Sequence, residues 1–139
     1  MRAVFADTAY WVALFHPDDA LHQKAAAVNE ALKGAVIVTS DMVLTEFLNH
    51  FAKHGPQFRS MAASTVKALL GRSDVKVVPQ TRLHFKEAVD LYNQRPDKDW
   101  GLTDCSSFVI MKEMNIKASL THDFHFVQAG FRALLRDED

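Results

Sequence analysis

The sequence predicts an α/β fold in a single domain, and three observations carry that prediction. Short apolar segments rich in β-branched residues alternate with helical ones along the chain, the pattern of parallel strands covered by helices. Aspartates stand where apolar strands end, as Asp7 does after Ala3-Val4-Phe5-Ala6. No repeat, low-complexity tract or linker interrupts the 139 residues, so positions 1–139 are one domain, long enough to bury a core.

Taken in order, Ala3-Val4-Phe5-Ala6 reads as a strand buried on both faces, and Ala9 to Phe15 as a short apolar helix behind Asp7-Thr8. Pro17 breaks the pattern. Asp18 or Asp19 is placed to cap a helix to about Leu32, with Leu21, Ala25, Val28 and Leu32 on one stripe, and Gly34 ends it. Ala35 to Thr39 is the second strand. From Ser40 or Asp41 to about His54 a helix gathers Val43, Leu44, Phe47, Leu48 and Phe51 on one face, with Glu46 just off its edge near His50. Gly55-Pro56 closes it, and a further helix spans Gln57 to Leu70.

Asp74 to Val78 is the third strand, stopped by Pro79. A helix from Thr81 to Gln94 carries Leu83, Ala88, Leu91 and Tyr92, and the polar loop 95–101 follows. Thr103 is the expected N-cap of a helix from Asp104 to Glu113. Apolar residues surround its first two turns, so it is read as mostly buried, with Asp104 between Phe108 and Met111. Lys117 to Thr121 is the fourth strand, Phe124 to Ala129 a short helix or turn, and Phe131 to Leu135 a fifth strand. The charged tail Arg136-Asp137-Glu138-Asp139 is expected to fray.

Composition narrows the class without naming a function. Hydrophobic residues make up 48% and charged ones 24%, ordinary for a soluble globular chain. No apolar run approaches the roughly 18 residues of a membrane span, and Asp7 comes too early for a signal peptide. One cysteine excludes an internal disulfide and suits the cytoplasm. A net charge of −1 does not advertise nucleic-acid binding, though a local basic rim is hidden in such a sum.

Four acids draw attention by position. Asp7 and Asp123 follow strands, Asp104 lies in the first turn of a buried helix, and Glu46 lies one turn inside another. Ligands of parallel sheets bind beyond the carboxyl ends of the strands. Four carboxylates gathered there repel one another unless a cation neutralises them. An all-oxygen set suits Mg²⁺ or Mn²⁺, whose chemistry on such a cluster is often phosphoryl transfer. Thr8 and Thr121, beside two of the acids, are candidate supporting groups for a carboxylate or a substrate phosphate.

The series Asp7-Thr8, Leu44-Thr45-Glu46-Phe47, Leu102-Thr103-Asp104-Cys105-Ser106-Ser107-Phe108 and Leu120-Thr121-His122-Asp123-x-His125-Phe126 resembles the PIN-domain family, and within it VapC-type toxins. The resemblance covers nearly the whole chain. It implies an α/β/α sandwich with a five-stranded parallel sheet and a Mg²⁺- or Mn²⁺-dependent endoribonuclease acting on RNA. A homodimer and an inhibiting cognate antitoxin protein are implied as well. Asp7, Glu46, Asp104 and Asp123 match the family's acidic quartet, and Asp99 is an additional acid without an assigned role.

Each residue also has a plainer reading. Asp7 and Asp123 are suited to capping the helices that follow them, Asp104 to meeting a helix dipole, and Glu46 to a solvated face. His122 and His125, with His50 and His54, lack the third ligand of a convincing zinc site, and Cys105 reads as core. Ser106 and Ser107 lack a nucleophile elbow, and no glycine-rich phosphate loop is present. Lys53, Arg59, Lys67, Arg72, Arg95 and Lys98 serve solubility or flank the acids for RNA phosphates. Trp100 and Phe124 either stack on a base or pack in the core. A non-catalytic binding or regulatory module is the alternative function. A phosphatase of the haloacid dehalogenase type is set aside because Ala9 stands where a second Asp is needed.

Overall fold

The computed structural model describes residues 2–136. Five strands form one parallel sheet: β1 (Ala3–Ala6), β2 (Val36–Ser40), β3 (Val75–Val78), β4 (Ala118–Leu120) and β5 (Arg132–Ala133), in the order β3-β2-β1-β4-β5. Between them run α1 (Thr8–Phe15), α2 (His22–Ala31), α3 (Asp41–Phe51), α4 (Pro56–Gly71), α5 (Arg82–Gln94), α6 (Leu102–Glu113) and α7 (Phe124–Gln128). The expected α/β fold with a five-stranded parallel sheet is therefore what the chain forms. The expectation for Asp137, Glu138 and Asp139 lies outside the described residues.

β1 is the centre of the sheet because both its faces are covered. Successive strand residues point to opposite faces, and Val4, Phe5 and Ala6 are all buried. The chain winds outward from β1 through β2 to β3, then returns to the other side of β1 to lay down β4 and β5. That reversal opens a crevice between the carboxyl ends of β1 and β4. A buried relay ties this end together: Trp11 Nε1 donates to Thr39 Oγ1 at 3.1 Å, and that hydroxyl donates to the Ala6 carbonyl at 2.9 Å. It joins α1, β2 and β1 at the point where Asp7 leaves the sheet.

Three local expectations are corrected. Gly101, not Thr103, is the N-cap of α6, which starts at Leu102. Glycine has no capping side chain, and the carboxylate of Asp104, three residues on, accepts the Gly101 amide at 3.1 Å instead. The N-cap of α2 is Leu21, while Asp19 Oδ1 accepts the Leu21 amide at 2.8 Å in the turn before it. On α5 only Ala88 is fully buried, and Leu83 and Tyr92 are 63% and 57% exposed. The wheel gives the direction of an apolar arc, and α5 has more arc than its neighbours cover. Among the described residues no helix is long and apolar enough to cross a membrane.

Candidate active site

Asp7 leaves β1 as the N-cap residue of α1, yet its side chain makes no capping bond. The carboxylate faces the crevice, where Thr121 Oγ1 donates to Oδ2 at 2.9 Å. The same hydroxyl accepts the Asp123 amide at 3.0 Å, so one threonine fixes an acid from each side of the β1–β4 reversal. Asp7 is 7% exposed. Burial pushes its carboxyl up to about 7, and the charges of Asp104 and Asp123 push the same way against the Thr8 amide and the Thr121 hydroxyl.

Asp104 arrives from α6, where capping holds it in place. Its Oδ2 accepts both the Gly101 amide, at 3.1 Å, and His125 Nδ1, at 3.0 Å. Burial raises its pKa, with the charge of Asp123 adding and the two donors opposing. Asp123, three residues past β4, caps α7 by accepting the His125 amide at 2.9 Å, and the same oxygen lies 3.4 Å from His125 Nδ1. The imidazole thus sits between two acids from different elements. Glu46, exposed on α3, accepts the Thr8 hydroxyl at 2.8 Å.

These residues meet in a cleft of about 460 Å³ lined by Asp7, Thr8, Glu46, Asp104 and Asp123, together with Asp19, His50 and apolar side chains. Sequence reasoning did not single out Asp19 as a cleft residue. It enters through the turn before α2, and nothing local marks that approach. His125 has a signal in its place two residues after Asp123, but the sequence offers it only as a zinc ligand alongside His122, His50 and His54.

The remaining candidates lie elsewhere. Trp100 is core: it packs on Phe108 at 4.9 Å and donates to Gln128 at 3.0 Å. Phe124 is 50% exposed, with the Arg136 guanidinium 5.1 Å from its ring centroid. Cys105 is fully buried, and burial raises its thiol pKa with the Asp104 charge adding, so it is no nucleophile. Asp99 is exposed and not part of the cleft lining. None of Lys53, Arg59, Lys67, Arg72, Arg95 and Lys98 lines the cleft. Arg72 and Arg95 are instead paired through two bonds each to Asp74 and Asp97.

The donor set fits a hard divalent cation. Five carboxylates and one exposed imidazole line the cleft without a lysine or arginine among the described residues. Burial raises Asp7 and Asp104, and the neighbouring acids add to it; a cation bound among them would oppose both shifts. Asp104 and Asp123 bring carboxylate oxygens within 4.8 Å of each other, and His125 Nδ1 between them is already engaged with Asp104 Oδ2, which leaves oxygen donors to face a cation.

Comparison with known proteins agrees with this architecture. The family model described as the PIN domain matches residues 4–132. The curated 23S rRNA-specific endonuclease VapC20 of Mycobacterium tuberculosis is 29% identical over 131 residues, covering 92% of this chain and 95% of that protein. The crystal structure of M. tuberculosis VapC20, described as a Sarcin-Ricin loop cleaving toxin, superposes with a TM-score of 0.82 at 25% identity. It covers 92% of this chain and 95% of that one. FitAcB from Neisseria gonorrhoeae shares the fold at a TM-score of 0.64 and 13% identity, over 94% and 95% of the two chains.

Proposed function

The chain belongs to the PIN domain family, and from that premise we propose that it is a metal-dependent endoribonuclease, the toxin of a toxin–antitoxin pair. The observation that carries the proposal is the convergence of Asp7, Glu46, Asp104 and Asp123, from four separate segments, on one cleft at the β1–β4 reversal. Mg²⁺ or Mn²⁺ is the cofactor the donor set favours, held by those four acids. Such an ion polarises a phosphodiester and lowers the pKa of a bound water.

The chain's own residues prepare the site. Thr121 orients Asp7 and, through its oxygen, the Asp123 turn. Thr8 holds Glu46 across the gap between α1 and α3. His125 and the Gly101 amide fix the Asp104 carboxylate. An acidic cleft repels a phosphate backbone on its own, and a cation held by these acids would offset that repulsion.

The relative named a 23S rRNA-specific endonuclease supports structured ribosomal RNA as the substrate class. A cognate antitoxin protein, a homodimeric state and a cytoplasmic location complete the proposal. The test is cleavage of a 23S rRNA stem–loop by the purified chain with Mg²⁺, with Mn²⁺ and with EDTA. Cleavage that needs the metal and is lost in Asp7→Asn and Asp104→Asn is expected. Full activity in EDTA or in both variants overturns the mechanism, and RNA binding without cleavage returns the chain to the class of binding modules.

A further inference from the structure

Outside the cleft, α5 and α6 bring a second group of ligand-type side chains together. His84 and Glu87 lie one turn apart on α5 and share a face. Glu113 is the last residue of α6. His84 Nε2 meets Glu113 Oε1 at 3.0 Å, and the three residues each offer a ligand atom within 4.8 Å of the other two.

The His84–Glu113 contact is an ordinary hydrogen bond in the absence of an ion. What it leaves over is Glu87, whose Oε1 is buried without a hydrogen-bond partner, as is His84 Nδ1. A carboxylate oxygen shielded from solvent with no donor facing it is open to a cation. The nearby positive charges do not supply one. Arg95 and Lys112 line the same groove as Glu87 and Glu113, yet Arg95 is paired with Asp97 and neither is bonded to these glutamates.

We propose that His84, Glu87 and Glu113 form a second cation site, suited to zinc or a similar first-row transition ion, that fastens α5 to the end of α6. One imidazole nitrogen and two carboxylate oxygens are a ligand set zinc uses, with the groove leaving its fourth position open to water. Magnesium, which prefers oxygen ligands throughout, is a poor match. The 3.0 Å between His84 and Glu113 is near the edge of a zinc tetrahedron, roughly 3.3 Å for ligands about 2.0 Å from the metal. An ion here braces the far end of the helix whose first turn holds Asp104, independently of whether the cleft cuts RNA.

The test is calorimetric titration of the untagged, metal-free chain with Zn²⁺, with Mg²⁺ as control. It is run in an Asp104→Asn/Asp123→Asn background so that the cleft contributes little. One Zn²⁺ per chain and a raised Tm are expected. His84→Ala and the milder Glu87→Gln should each weaken binding by roughly 100-fold, the upper end of what even an outer-shell partner contributes. Folding of both is checked by circular dichroism, and Glu87→Gln alone suffices if His84→Ala does not fold. No zinc binding in the cleft-disabled background overturns the site. Zinc affinity left unchanged by Glu87→Gln overturns it equally.

Discussion

Thr121 donates its hydroxyl to Asp7 Oδ2 at 2.9 Å across the sheet, from the residue after β4 to the residue after β1. Both groups are buried. Thr121→Val keeps the shape and removes the donor, which leaves a buried carboxylate oxygen unpaired. A loss of about 1–3 kcal/mol in denaturant unfolding is expected. The Asp7 pKa should rise further, moving the acidic limb of the pH–rate profile for cleavage to higher pH. An unmoved limb with full stability contradicts the role given to Thr121.

The raised pKa of Asp7 links stability to pH in a definite direction. An unfolded Asp titrates near 3.8, whereas the folded one stays protonated to about 7. The contribution of the protonated carboxyl is fully present below 3.8 and is lost as pH rises through 7. Metal-free protein should therefore lose stability from pH 4 towards pH 8, and Asp7→Asn should flatten that fall. Thermal melts in EDTA across this range decide it. At pH 8, Mg²⁺ should raise the Tm of the wild type more than that of Asp7→Asn, since binding to the folded state stabilises it.

Thr8 and Glu46 offer a contrast, because their bond lies at the exposed rim. Thr8→Val should change stability by no more than about 0.5 kcal/mol. If Glu46 must be held for chemistry, cleavage should fall by about tenfold, the equivalent of roughly 1.4 kcal/mol in the barrier. Melting curves and initial rates on the same preparation separate the two effects.

The buried relay through Thr39 makes a third kind of prediction. Thr39→Val removes the acceptor of the Trp11 indole N–H and one donor to the Ala6 carbonyl. Destabilisation of about 1–3 kcal/mol is expected, chiefly from the buried indole N–H left without a partner. Trp11→Phe removes one donor and should cost less in the same denaturation assay.

Much of this arrangement is legible in the sequence, for a physical reason. A strand followed at once by an acid and a helix puts the acid at the carboxyl end of the strand whatever the tertiary detail, and Asp7 obeys that rule. Asp104 is legible because a carboxylate ringed by Cys105, Phe108 and Met111 needs a special environment. The cap of α6 is not, since Gly101 offers no side chain to read and the bond comes from three residues ahead. Asp19 and His125 are hidden for a different reason. Their approach to the cleft depends on how a turn and a five-residue helix fold back, which no periodicity encodes.

Asp104 divides its work between its two oxygens. The Gly101 amide and the His125 ring both fall on Oδ2, which leaves the hold on α6 and any hold on a metal in different hands. An asparagine keeps an acceptor for the cap while giving up the negative charge. Asp to Asn needs one base change in a gene. On the function proposed above, a folded, antitoxin-binding but harmless form of this protein is therefore a single replication error away from the active one. A population carrying the gene always has a short path to disarming it without discarding it.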